Sequence, residues 1–296
     1  MPLPAAFIGI VLIWSTTPLA IKWSSMGTGF LFGVTSRMVI GMLLCVVILM
    51  VTGRRLRHDR VALQTYAAAG LGVWATMMCV YWAALYIPSG LISVVFGITP
   101  VFTGLFAVTL LGEKIFTRPK IIGMIMGLAG LLLIFRYSLN VGAAAGLGVI
   151  AVFTGVLAQS SSAVMIKRLR AGVGGIETTT GALLVSTPLF VLCWWLFDGA
   201  WPQQVEASAF WSILYLALFG SVIGFIGYYY LISQWPASRV ALIPLMTPVM
   251  ALLIGYLFNA EKVGVTEIAG ATLILAGLWA YEFGGRSKGI RICGSG

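Results

Sequence analysis

Arg37 is the deepest charge in this chain. It lies about eight residues into an apolar run that begins near residue 29, roughly 12 Å along a helix that rises about 1.5 Å per residue. A guanidinium at that depth can grip a carboxylate through its planar fork of donors. The competing reading is a structural arginine held by helix-end carbonyls or snorkelling outward. A zwitterionic amino acid would need hydrogen-bond partners for its charged ends and an apolar wall for its side chain. Ser15, Thr16, Gln159, Ser160 and Ser161 can supply the partners, and rings that fall inside apolar runs, among them Trp14, Trp74, Tyr81, Trp82, Phe96, Tyr228, Tyr229 and Tyr230, can supply the wall. Each ring has the ordinary alternative of facing lipid or a neighbouring helix. The candidate substrate-binding set is Trp14, Ser15, Arg37, Tyr81, Gln159, Ser160 and Tyr229.

Other chemistries are poorly provided for. None of the eight acidic residues, Asp59, Glu113, Glu177, Asp198, Glu206, Glu261, Glu267 and Glu282, falls near the middle of an apolar run. A buried carboxylate is the usual device for holding a lipophilic cation or carrying a coupling proton, so a cation pump and a simple carboxylate relay are both disfavoured. The single histidine, His58, sits in a basic stretch, which strains any bis-His haem, His-based zinc site or Ser-His triad. No Gly-x-x-x-x-Gly-Lys sequence occurs, so the chain carries no P-loop. Cys45, Cys79, Cys193 and Cys293 show no CxxC spacing, and three of them lie in apolar runs. No cofactor, metal site or disulfide is expected, and the reading is of a protein that is not an enzyme. The closing CGSG carries no assigned function.

The elements that must position Arg37 follow from composition. Of the 296 residues, 60% are hydrophobic and 9% charged, and the mean hydropathy is +1.04, far outside the range of soluble domains. A bilayer core about 30 Å thick needs roughly 20 apolar residues per helix. Apolar runs near 4–22, 29–52, 61–84, 89–111, 119–135, 145–166, 177–197, 208–231, 238–258 and 267–284 predict ten such helices. MPLPAAFIGIVLIW has no basic residue ahead of its apolar run and reads as the first span, not as a cleaved signal. Fourteen of the eighteen Lys and Arg residues cluster at alternate links, around Arg54, Lys114, Lys167, Arg239 and Arg286. Placing those links in the cytoplasm satisfies the positive-inside rule and puts both termini there. The charge of +10 then reflects topology and anionic headgroups, and no nucleic-acid partner is expected.

The chain also repeats itself. TPVFTGLFAVTLLGEK begins at Thr99 and TPVMALLIGYLFNAEK at Thr247, an offset of 148 residues. At that offset Tyr81, Pro88, Pro100 and Glu113 match Tyr229, Pro236, Pro248 and Glu261. After one residue of slippage Gly123 matches Gly270, and LAGL recurs at 128–131 and 275–278. Five spans per copy is an odd number, so the second copy must cross in the opposite sense. The expected fold is all-α, ten transmembrane helices as two inverted five-helix repeats over 1–140 and 141–288, with a tail at 289–296. Such a pair supplies equivalent inward-open and outward-open arrangements about a central site, a pattern typical of secondary transporters. Pro18, Pro100 and Pro248 lie inside spans and are the candidate hinges, the last two as repeat mates.

LIWSTTPLAIKW in the first span, YWAALYIPSGLISVVFGITPVFTGLFAVTLLGEK across the third and fourth, and ASRVALIPLMTPVMALLIGYLFNAEK in the second half resemble the drug/metabolite transporter superfamily, specifically its ten-helix EamA-type exporters. Within it the overall look is similar to bacterial aromatic amino-acid exporters. The resemblance implies a central cavity lined from both halves and export of amino acids or similar small metabolites across the bacterial inner membrane. Drugs, sugars and nucleotide-linked metabolites are the alternative cargo. One departure is that Arg37 has no counterpart in TTTGALLVSTPLF, the seventh span. The partners implied are a small-molecule substrate and the lipid bilayer, with the chain working as a monomer.

Overall fold

Proline, glycine and aspartate mark the places where helices start and stop. Pro2 precedes helix α1 (Leu3–Ser24), and Gly29 precedes α2 (Phe30–Val51). Asp59 caps α3 (Arg60–Ala83), its carboxylate accepting from the Ala62 amide at 3.4 Å. Pro88 and Pro236, mates in the repeat, stand at the N-termini of α4 (Ser89–Phe96) and of the short α11 (Ala237–Val240). Helix α5 (Thr99–Leu111) ends at Gly112, whose φ of 68° is the left-handed conformation that glycine adopts without penalty.

The computed structural model describes residues 2–113, 116–134, 145–258 and 264–283. Lys114, Glu261 and Lys262, part of the repeated Glu-Lys endings, lie outside them. The first half continues with α6 (Arg118–Ile134). The second comprises α7 (Ala145–Leu169), α8 (Gly175–Phe197), α9 (Ala207–Tyr215), a π-helical segment (Leu216–Ile223), α10 (Gly224–Gln234), α11, α12 (Ile243–Phe258) and α13 (Val265–Phe283). Taking α4 with α5, α9 with the π segment and α10, and α11 with α12, these form ten membrane-crossing units, five in each half. Among the described residues, eight of these units are long and apolar enough to cross a bilayer by length and composition; α6 and α13 complete the set. Each unit falls within about three residues of its predicted bounds. Large side chains such as Leu43, Val47, Ile125, Leu257 and Trp279 are exposed on the outside, as a lipid-facing surface requires.

The two halves meet as an inverted pair should. Helices α6 and α13, the fifth unit of each half, pack tightly through glycines. A Cβ at Gly123 would stand 2.4 Å from the Gly277 carbonyl oxygen, and one at Gly130 would stand 2.5 Å from that of Gly270. Since Gly123 matches Gly270 and Gly130 matches Gly277, each residue touches the mate of the other. Contacts of that kind arise about a two-fold axis, and the descending order of the partners makes the helices antiparallel. Close backbone approach gives the dispersion contact that drives helix association in lipid. Helices α2 and α8, the second unit of each half, exchange hydrogen bonds in the same reciprocal manner: Thr35 Oγ1 donates to the Phe190 carbonyl at 3.2 Å, and Thr187 Oγ1 donates to the Met38 carbonyl at 3.3 Å.

Candidate functional site

A cavity of about 880 Å3, counting the part open to solvent, lies between the two halves. It is lined by α1, α2, α3 and α4 of the first half and by α7, α10 and α12 of the second.

Arg37 enters this cavity from α2, with only 1% of its surface exposed. Its Nε donates to Ser221 Oγ at 2.8 Å, and Nη1 faces the Tyr81 hydroxyl at 3.5 Å and the Met77 sulfur at 4.0 Å. Among the described residues these are the groups that accept from the guanidinium. The one at Nε is strong, and the two at Nη1 lie at the edge of hydrogen bonding. The structure therefore corrects both ordinary readings of Arg37: helix-end carbonyls do not hold it, and it does not snorkel outward. The ion pairs described, Arg54–Glu177, Arg57–Asp59 and Arg239–Glu282, leave it out.

The π segment makes room for the guanidinium. An extra residue in a turn widens the helix and turns its side chains, and such segments concentrate at functional sites. Here the widened turn presents Gly220 and Ser221 to α2. A Cβ at Gly220 would lie 2.9 Å from Arg37 Nη2. One turn further, a Cβ at Gly224 would lie 2.6 Å from Trp14 Nε1. GSVIG thus seats both Arg37 and Trp14.

Aromatic rings form another part of the cavity wall. Trp14 meets Phe225 edge-on with centroids 6.4 Å apart and tilts against Tyr228 at 5.2 Å; Tyr228 in turn lies 5.4 Å from Tyr229. Gln159, from α7, sits beside the Tyr228 hydroxyl. Pro18 also lines the cavity and removes the amide that would have met the Trp14 carbonyl.

Five of the ten residues expected at the site thus line the cavity: Trp14, Pro18, Arg37, Gln159 and Tyr229. Tyr81 is fully buried and does not line the cavity; its hydroxyl lies 3.5 Å from Arg37 Nη1. Ser15 and Ser160 lie away from the cavity. Ser15 bonds back to the Leu12 carbonyl of its own helix at 2.6 Å, and Ser160 is buried against α5, accepting from Thr103 Oγ1 at 3.0 Å. Neither lines the cavity. Pro100 stands in the first turn of α5, after the chain has already broken at Gly97 and Ile98, so it is not a kink within a continuous helix. Its mate Pro248 lies within α12 but does not line the cavity, where Pro244 and Thr247 do. Ser221, Gly220, Thr76, Ser93 and Phe225 are site residues that sequence reasoning missed.

Five of the cavity hydroxyls are already committed as donors. Thr17, Ser93 and Thr247 donate to carbonyls of their own helices, Thr76 to Gly155 and Ser162 to Ala68. What they offer inward is lone pairs. Among the described residues, no carboxylate lines the cavity and no cluster of His, Cys, Asp and Glu could hold a metal.

Similarity to known proteins agrees with this architecture. The model of the EamA-like transporter family matches residues 4–136 and 146–281. An uncharacterized transporter of Archaeoglobus fulgidus is 27% identical over 91% of this chain and 94% of its own length. A probable amino-acid metabolite efflux pump of Escherichia coli is 25% identical over 67% of this chain and 68% of its own. A solved crystal structure superposes with a TM-score of 0.79 at 19% identity, covering 96% of this chain and 98% of that one, a likeness of fold.

Proposed function

The chain belongs to the EamA-like transporter family, and on that premise we propose that it exports amino acids or similar small metabolites by alternating access around the cavity between its halves. The observation that carries this reading is the placement of Arg37: one buried guanidinium, fixed at Nε by Ser221 and weakly engaged at Nη1, in a cavity that aromatic rings also line. The fork takes a carboxylate, and Trp14, Phe225 and Tyr228 take an apolar side chain. The lone pairs of Thr76, Ser93 and Thr247 accept from a nitrogen group. The efflux pump among the relatives supports the amino-acid class.

In this reading the chain lies in the bacterial inner membrane as a monomer, with both termini cytoplasmic and no cofactor, and moves solute without chemical change. With no carboxylate along the cavity among the described residues there is no simple proton relay there, so transport runs down the gradient of solute or charge. The test is uptake by liposomes carrying the purified protein, across labelled amino acids of each side-chain class, with and without imposed pH and voltage gradients. Saturable, protein-dependent flux that needs no pH gradient is expected. Flux for no amino acid, with flux for a sugar or a cationic drug, would defeat the reading.

A further inference from the structure

The cavity holds a buried cation and, among the described residues, no anion to balance it. Deepening the export reading above and resting on it, we infer that the site selects by net charge: its preferred ligand is a monoanion with one carboxylate and an apolar body, in which nitrogen is acylated or absent, and the zwitterionic amino acid is the weaker ligand.

Charge balance inside the protein carries the argument. A monocarboxylate docked on Arg37 brings the cavity to zero net charge. A zwitterion docked the same way leaves it at plus one, and an amine leaves it at plus two. Charge away from water is tolerated when it is paired. The cavity oxygens can accept hydrogen bonds from an ammonium, because Thr17, Thr76, Ser93, Ser162 and Thr247 have all spent their protons on carbonyls. Those same lone pairs accept equally well from the N–H of an amide. They satisfy geometry in both cases and supply a formal negative charge in neither. The rings offer an ammonium some attraction through their faces, but Trp14 is already turned against Tyr228 and Phe225. A second carboxylate on the ligand would have no partner, so dianions are excluded as well.

The probes are phenylalanine, N-acetylphenylalanine and phenethylamine, which share one ring and carry net charges of zero, minus one and plus one near neutral pH. Calorimetric titration of the purified protein is expected to give N-acetylphenylalanine about tenfold tighter than phenylalanine, with phenethylamine silent. Arg37→Gln should erase the preference, and Ser93→Asp, which adds the missing carboxylate on α4, should move it toward phenylalanine. The second variant keeps the test informative should the first fail to fold. Phenylalanine binding as tightly as its acetylated form, and crossing liposomes, would overturn the charge selection and leave the export reading standing. No heat from any of the three, with no flux of any amino acid, would overturn both.

Discussion

Ser221 Oγ accepts from Arg37 Nε at 2.8 Å, a hydrogen bond that joins the second helix of the first half to the π-helical turn of the second. The contact has no repeat mate, because the seventh span carries no arginine. The two halves share a framework, and this pair breaks their symmetry where a ligand would dock.

Replacing either partner should weaken transport to different degrees. Arg37→Gln removes the charge and should lower the apparent affinity for a carboxylate solute by about 2–3 kcal/mol, roughly a hundredfold. Arg37→Lys should not restore it, since an ammonium cannot reach Ser221 and a ligand together as a planar fork does. Ser221→Ala leaves Tyr81 and Met77 in place and should cost about 0.5–1.5 kcal/mol. Half-saturation in liposome uptake measures all three. Equal loss for a carboxylic acid and the matching alcohol in Arg37→Gln would argue against carboxylate capture.

Two glycine substitutions should separate site from scaffold. At Gly220 the added Cβ meets the tip of a flexible side chain, Arg37 Nη2. Gly220→Ala should therefore keep the Tm within about 2 °C while weakening binding, because the guanidinium shifts and the helix gains a better helix former. At Gly123 the added Cβ meets the Gly277 carbonyl, which cannot yield without moving α13. Gly123→Ala should destabilise the fold by about 1–3 kcal/mol, and Gly270→Ala should do likewise, since its Cβ would stand 2.6 Å from the Gly130 carbonyl. Thermal unfolding in detergent distinguishes them; a stable Gly123→Ala protein would mean that α6 and α13 do not cross there.

One end of the bundle is laced between the halves. Arg54 pairs with Glu177 at 2.9 Å, and Arg57 donates to the Ala171 carbonyl at 2.7 Å. Arg54 is half exposed, so the pair adds at most about 1 kcal/mol to stability. Its importance would lie in which end of the cavity is closed. Arg54→Gln should leave the Tm nearly unchanged but speed maleimide labelling of a cysteine placed at Ala171 in a cysteine-free background. Unaltered labelling would show that the lacing does not hold this end.

The prolines now make unequal predictions. Pro100 opens a helix that has already restarted, whereas Pro248 interrupts one. Pro100→Ala should transport like the parent, and Pro248→Ala should slow turnover several-fold at unchanged affinity, as initial rates will report. The reverse ranking would restore Pro100 as the hinge.

Much of this was legible because the bilayer makes apolar length and charge placement strongly constraining. All ten crossing units and the inverted repeat follow from them, as does the depth of Arg37. Local geometry was not. A serine beside a cavity tryptophan points about 100° away from it around the helix, which is why Trp14 lines the cavity and Ser15 does not; Ser160 beside Gln159 is turned away in the same manner. The π turn has no residue-type signature, so Ser221 looks like one more small residue in GSVIG. The break at Gly97 comes too close before Pro100 for sequence to assign the bend to one or the other.

If Arg37 binds a solute carboxylate inside the cavity shared by both halves, the acid group of the solute should decide whether it is exchanged. Counterflow in liposomes, comparing a carboxylic acid with its matching alcohol in the parent protein and in Arg37→Gln, tests it most directly. Saturable exchange of the acid by the parent, little of the alcohol, and loss of that distinction in the variant are expected. Equal exchange of acid and alcohol by the parent, or an undiminished preference for the acid in Arg37→Gln, would contradict it.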